Sequence, residues 1–291
     1  MSRWRTQWLS LAPILVGILG TAAGGRAAPA PEAKEAKTKF AFVLLAKPRL
    51  PDGKELVRAF ASFASKECQL RVEPAADPKK HGEALAFDLT PGGYGVIALM
   101  PTPVPKREAD DAAALSVSSI GTGWKLAPHT AHLIVTLTDP ATVSTTDKLA
   151  RLTWVLAAVA KATNAVGIYW GDAGATHDPK FFIRVAKDTE LAARLMLWTG
   201  VSAVRKPDGG ISLLSTGMKQ LGLPELLLEA PKKSAGQALE TFFNLLAYVA
   251  ERGKALPEGD TVGRTADERL PVHYVPSPAD PKEKVWRVEL K

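Results

Sequence analysis

His129, His132, Asp172, His177 and Asp178 are the side chains of this sequence best suited to shared chemistry. Imidazole nitrogens and carboxylate oxygens are the ligands of hydrolytic zinc centres. His129 and His132 are three residues apart, a spacing that binds metal from a helix. Pro128 precedes them, however, and Leu133-Ile134-Val135-Thr136 follows, so the segment reads as a strand. Residues i and i+3 of a strand face opposite sides. Only one of the two histidines can therefore join His177 with Asp172 or Asp178. A metal centre also needs hydrogen bonds behind each ligand, which spacing does not reveal. Ordinary hydrogen-bonded or surface histidines are the simpler reading.

Other groupings are read the same way. Trp170-Gly171-Asp172-Ala173-Gly174-Ala175-Thr176-His177 lies between a strand and a helix start. Such a loop can hold an aromatic ring, a carboxylate and an imidazole at a cleft mouth, or can simply connect two elements. Glu225 and Glu229 flank Leu227 on a short strand and face the same way. They could hold a proton or cation, but read first as its solvated face, with Leu226 and Leu228 inward. Gly217, Gly222 and Pro224 read as turn chemistry. Pro101, Pro103 and Pro105, followed by the acidic 108–111, could dock a partner, although ending a strand and starting a helix is their commoner use. Cys68 is the only cysteine, so no internal disulfide and no Cys-based metal site can form. It reads as a small buried hydrophobe at a helix end; Lys66 favours the thiolate and Glu67 opposes it. The nucleophile elbow, zinc-helix, phosphate-loop and dinucleotide fingerprints are absent. No residue is assigned as catalytic, cofactor-binding or metal-ligating, and no cofactor is implied.

The elements that position these groups follow from hydropathy. The apolar run 40–47 suits a strand buried on both faces. Asp52 and Glu55 fit a capping box for a helix over 53–66. Strands are predicted at 69–72, 84–89 and 94–100, the last two joined by Pro91-Gly92-Gly93. A strand at 133–138 precedes a helix capped by Ser144 and Asp147, and 165–170 returns as a strand. Asp178-Pro179 starts another helix. Strands at 195–204 and 211–215 flank the hairpin signal Pro207-Asp208-Gly209-Gly210. A strand at 226–228 leads to a helix with Ser234 and Gln237 as its capping box and Gly253 as its C-cap. Two edge strands, 272–274 and 285–290, end the chain. The fold class is α+β: a mixed, mostly antiparallel sheet or sheets with helices packed on one face. Two loosely similar halves, 40–127 and 128–291, fit this order within one domain, 40–291.

The N-terminus carries an address. Arg3 and Arg5 precede the apolar run 8–23, and small residues follow. That pattern is a secretory signal peptide over 1–27, with Gly25 and Ala27 at the small-residue positions; an uncleaved anchor is the alternative. The run is short of the roughly 20 residues of a membrane span. Residues 28–39 read as a solvated tether. Without Arg3, Arg5 and Arg26 the 37 basic residues fall to 34 against 30 acids. This mild excess gives no case for nucleic acid, which needs a clustered basic face.

From Gly95 onward the chain resembles an uncharacterised bacterial family, domain of unknown function 4261. The pieces that carry the likeness are GVIALMPTPVP (95–105), HTAHLIVTL (129–137), AVGIYWGDAG (165–174) and LLSTGMKQLGLPELLLE (213–229). The last is the most specific. The resemblance implies a fold and brings no activity and no catalytic residues. The sequence thus reads as an exported, periplasmic or secreted protein, a non-catalytic binding or interaction domain whose partner is an unidentified protein or envelope component. Its membrane contact is confined to the N-terminal segment, if uncleaved. The second reading is a metal-assisted hydrolase using Asp172, His177 and one of His129 or His132. A third, a purely structural envelope protein, predicts an exposed apolar patch in place of a concave pocket.

Overall fold

The structure, a computed structural model, describes residues 38–73, 83–265 and 267–291. The expected signal peptide, 1–27, lies outside the described residues, as does the tether apart from Thr38 and Lys39. The first sheet is built from β1 (Thr38–Leu45), β2 (Gln69–Val72), β3 (Ala84–Thr90), β4 (Tyr94–Met100), β5 (Ala131–Thr138), β6 (Gly167–Trp170) and β7 (Ala175–His177). Their order is β2-β3-β4-β5-β1-β6-β7, antiparallel throughout. The helices are α1 (Gly53–Phe60), α2 (Glu108–Asp111), α3 (Val117–Thr122), α4 (Thr145–Thr163), α5 (Pro179–Val185), α6 (Leu191–Trp198) and α7 (Ala238–Arg252). The second sheet comprises β8 (Gly200–Arg205), β9 (Ile211–Thr216), β10 (Leu226–Ala230), β13 (His273–Pro276) and β14 (Lys284–Glu289) in the order β13-β14-β10-β9-β8. Between them in sequence, β11 (Thr261–Val262) and β12 (Leu270–Pro271) form a small ribbon. The fold is α+β.

Alternation explains the layers. Along β1, Ala41, Val43 and Leu45 join the main core, which also holds Leu152, Leu156 and Val159 of α4. Leu44 and the half-buried Phe42 face the other way, packed with Val104, Ala109 and Ala112 from the segment that follows β4. Both faces of β1 are therefore covered at its C-terminal end, as a continuous apolar run requires. One buried cluster continues from this sheet through Trp198 of α6 to Phe242 of α7 and Trp286 of β14.

Local capping chemistry fixes several boundaries. Asp52 Oδ1 accepts from the Glu55 amide at 2.9 Å. Ser144 Oγ accepts from the Asp147 amide at 3.1 Å and donates to its carboxylate at 2.6 Å. Asp178 accepts from the Lys180 and Phe181 amides, with Pro179 at the first helical position. Each such cap stabilises its helix by about 1 kcal/mol. Gly253 ends α7 with φ +65°, a left-handed conformation that favours glycine.

Four boundaries differ from expectation. The helix predicted over 53–66 ends at Phe60, where Ser62 bonds the Ala59 carbonyl through both its amide and its hydroxyl and diverts the last turn. Leu195 to Trp198 is the end of α6, not the start of a strand; so short an apolar run fits either state. Ser234 caps nothing: its hydroxyl donates to the Lys291 carbonyl at 2.9 Å. The stretch around it is a 3-10 turn, and α7 begins at Ala238 without a side-chain cap. The strand at 285–290 is interior rather than edge, because β14 pairs with β10 in parallel on one side and with β13 on the other. The division at 127/128 also runs through the first sheet, since β5 lies between β1 and β4.

Candidate functional site

The histidines and aspartates singled out by the sequence do not converge. His132 lies on β5, 4% exposed, and donates Nδ1–H to the Thr102 carbonyl at 2.8 Å. Its ring meets Phe42 edge-on, and Phe42 stacks on Tyr169. Burial holds its pKa below the ordinary value, partly opposed by the Thr102 carbonyl. His129 precedes the strand, so the parity argument applies to His132 alone; its Nε2 is buried without a partner. Asp172 is half exposed and pairs with Lys39 at 3.3 Å. Asp178 is occupied as a helix cap.

His177 is fully buried, with both ring nitrogens bonded. Nε2 lies 3.0 Å from the Leu197 carbonyl and Nδ1 lies 2.8 Å from Ser116 Oγ. A carbonyl only accepts, so Nε2 carries the hydrogen and Nδ1 accepts from the serine. Ser118 Oγ then donates to Ser116 Oγ at 2.7 Å and accepts the Asp178 amide at 3.2 Å. Burial lowers the His177 pKa to about 4, which keeps the ring neutral at pH 7. A serine beside a histidine is also the beginning of a nucleophile–base pair. Here Ser116 and His177 are both inaccessible, and the chain of bonds ties the start of α3 to β7 and α5. Sequence spacing could not reveal it, because 61 residues separate the two.

The metal-assisted constellation of Asp172, His177 and His129 or His132 is thus corrected. Among the described residues, no group of three or more His, Cys, Asp or Glu side chains is placed to hold a metal ion. Of the two readings of the loop after Trp170, the structure has the connecting one: a packed hairpin between β6 and β7. Trp170 is buried, stacks on Phe182 and donates Nε1–H to Gln220 Oε1 at 3.2 Å.

Glu225 and Glu229 also depart from the solvated-face reading. Glu225 is 9% exposed. Its carboxylate accepts from Ser215 Oγ at 2.6 Å, the Gly217 amide at 2.9 Å and the Met218 amide at 3.3 Å. Leu227, between the two glutamates, packs with Leu214 and Val285, and Glu229 bonds Ser212 and pairs with Lys206. Buried carboxylates persist where donors converge on them. Gly217 has φ +124°, and a Cβ there would meet the Trp198 carbonyl oxygen at 2.5 Å. Gln220 bonds that same carbonyl at 2.8 Å. The Thr-Gly-Met, Leu-Gly-Leu-Pro-Glu stretch is therefore a buried turn holding α6 and β6 against the second sheet.

A different place offers unoccupied hydrogen-bonding groups. A groove of about 560 Å³ lies between α7 and β11. One wall is Gln237, just before α7, with Glu240, Thr241, Asn244 and Tyr248 of α7, the other is 261–264, and Leu245 and Val262 contribute apolar surface. This volume suits a small ligand. Among the described residues, the side chains of Gln237, Glu240, Thr241 and Asn244 have no intramolecular partner. Tyr248 Oη accepts from Arg252 at 2.8 Å, leaving its own hydrogen free to donate. Arg264 is committed to Glu268 through its amide, Nε and Nη2, and this pairing pulls the Glu268 pKa down to about 2. A tyrosine in the polar stripe of an amphipathic helix is the one signal of this site that residue order carries. Such a stripe reads as a solvated face.

Residues 214–289 match the family model described as Domain of unknown function (DUF4261). The chain resembles that family. The match takes in the glutamate-anchored turn, and every residue of the groove, from Gln237 to Arg264, falls inside it. The three upstream pieces at 95–105, 129–137 and 165–174 lie outside the matched stretch. No curated protein and no solved structure is similar enough to this chain to match it.

Proposed function

We propose that this is an exported, non-catalytic binding domain that takes a polar ligand in the groove between α7 and β11. The observation that carries the reading is the row of unpartnered amide, hydroxyl and carboxylate groups along one side of α7. Polar groups that converge on a concave surface without partners of their own are the means by which a pocket orients a ligand. Among the described residues that line the groove, Glu240 is the one carboxylate, so no carboxylate pair is available there for acid–base work. Export is supported by the basic start, apolar middle and small-residue end of residues 1–27. Among the described residues, no helix is long and apolar enough to cross a membrane.

Native mass spectrometry of the protein made in an exporting host tests both parts. The denatured mass should correspond to a chain starting near Ala28. A native excess mass that vanishes in the Asn244→Ala, Tyr248→Ala double variant supports the groove. A bare native mass, with unchanged hydrogen exchange over 237–248 in envelope extract, refutes it.

A protein partner is the second reading, favoured by one patch on the first sheet. Phe40 and Val96 flank Thr136 across three neighbouring strands, and Tyr94 lies two residues from Val96 on the same face. All three large side chains are exposed. Loss of envelope co-purification in Phe40→Ser, with ligand binding unchanged, would favour that reading.

A further inference from the structure

We infer that the ligand of the α7 groove is a neutral oligosaccharide; this rests on the groove being the binding site. The side chains decide the class. Gln237, Thr241 and Asn244 each carry a donor and an acceptor, as does every hydroxyl of a sugar. A phosphate or carboxylate ligand would only accept. It would meet the Glu240 carboxylate in a groove whose one guanidinium, Arg264, already grips Glu268. A cationic ligand would find a single unpaired carboxylate and a row of neutral groups.

Shape and surface agree. Eleven residues separate Gln237 from Tyr248, about 16 Å along the helix axis, which calls for a ligand of several linked rings. Tyr248 is 42% exposed and offers a flat apolar body with a polar tip, suited to the C–H face of a pyranose. Its hydroxyl accepts from Arg252, whose guanidinium also lies 5.4 Å from the ring centroid, and keeps its own hydrogen free to donate. An extended peptide would instead need a strand edge to pair with. The only strand lining the groove is β11, whose two residues are too short an edge to hold an added strand.

The test is isothermal titration calorimetry of the mature protein with four neutral tetrasaccharides built from N-acetylglucosamine, β-1,4-glucose, α-1,4-glucose and β-1,4-xylose. At least one should bind, with affinity insensitive to salt. Asn244→Ala and Tyr248→Ala should each weaken it tenfold or more. Glu240→Gln should change it less than threefold, since no ligand charge is being met. Both truncated side chains are exposed, so an unchanged thermal midpoint in each variant separates lost binding from lost fold. Binding by none of the four, or equal binding by both truncation variants, overturns the inference. If a native excess mass lost in the double variant proves to be a peptide or an anion, the oligosaccharide is wrong and the groove reading stands. If neither sugar nor any other ligand depends on these residues, both fall together.

Discussion

Acidification should weaken this protein through His177. His177 is neutral in the fold, its pKa lowered to about 4 from the ordinary 6.5 by complete burial. In the unfolded chain it takes a proton near pH 6.5, so below that pH the unfolded state binds more protons than the native one. Its contribution to stability is complete above pH 6.5 and is lost as pH falls from there towards 4. At about 1.4 kcal/mol per pH unit the full loss is about 3 kcal/mol, and about 2.5 kcal/mol of it has gone by pH 4.5. Nε2 and Nδ1 are both already bonded, and a second proton on Nδ1 would turn Ser116 Oγ from donor to acceptor and leave a charged ring buried away from water. Urea unfolding of the wild type and of His177→Gln at pH 7.5 and 4.5 measures the effect as a difference. His132, also held low by burial, is present in both proteins and largely cancels. Glutamine should cost stability at pH 7.5 and should flatten the pH dependence by about 2.5 kcal/mol. Equal slopes in the two proteins would refute the buried neutral imidazole.

Three other outcomes follow from the packing. Glu225→Gln should destabilise by about 3 kcal/mol in urea, because one of two accepting oxygens becomes a donor facing amides that already donate; an unchanged midpoint would show that the turn does not depend on the charge. Arg151 holds Asp139 at 2.7 Å and the Gly92 carbonyl at 2.9 Å. Arg151→Ala should cost about 3 kcal/mol at pH 7 by leaving a buried carboxylate uncompensated, and less in acid, because burial holds the Asp139 pKa above the ordinary carboxylate value; a comparison of urea midpoints at neutral and acid pH checks this. Cys68 is buried and its thiol pKa is raised chiefly by that burial. A thiol reagent should therefore label it no faster than the protein opens, and rapid labelling of native protein would contradict the structure.

Features encoded by neighbours in sequence were legible in advance. Asp52, Ser144 and Asp178 each bond an amide two or three residues on, so residue type and spacing suffice. The run at 40–47 announced a strand covered on both faces, which holds only for the C-terminal end of β1, since Phe40 is exposed and the strand ends at Leu45. What failed depended on distant partners. Ser234 has the form of a cap, but its hydroxyl reaches Lys291, 57 residues away. Glu225 looks solvated until Ser215 and the Gly217 turn are placed around it. Trp170 and His177 carry functional side chains, and the fold spends both on internal bonds. The groove was hidden for the opposite reason. A polar stripe on α7 is the ordinary outer face of a helix, and only the return of 261–264 alongside it makes a cavity.

The placing of β14 sets an order on assembly. Strand β13 is made before β14, yet its pairing partner in the sheet is β14, and β14 in turn joins β10 in parallel. A chain synthesised as far as Pro276 thus carries β13 with no neighbour, while β10 exposes a free edge beside Leu226 and Leu228. The second sheet grows strand by strand only as far as β10, since β8, β9 and β10 pair in chain order. It is completed when residues 284–289 pair with both β10 and β13. Until then the nascent protein has a sheet edge open to other chains, the hazard that parallel, long-range pairings carry.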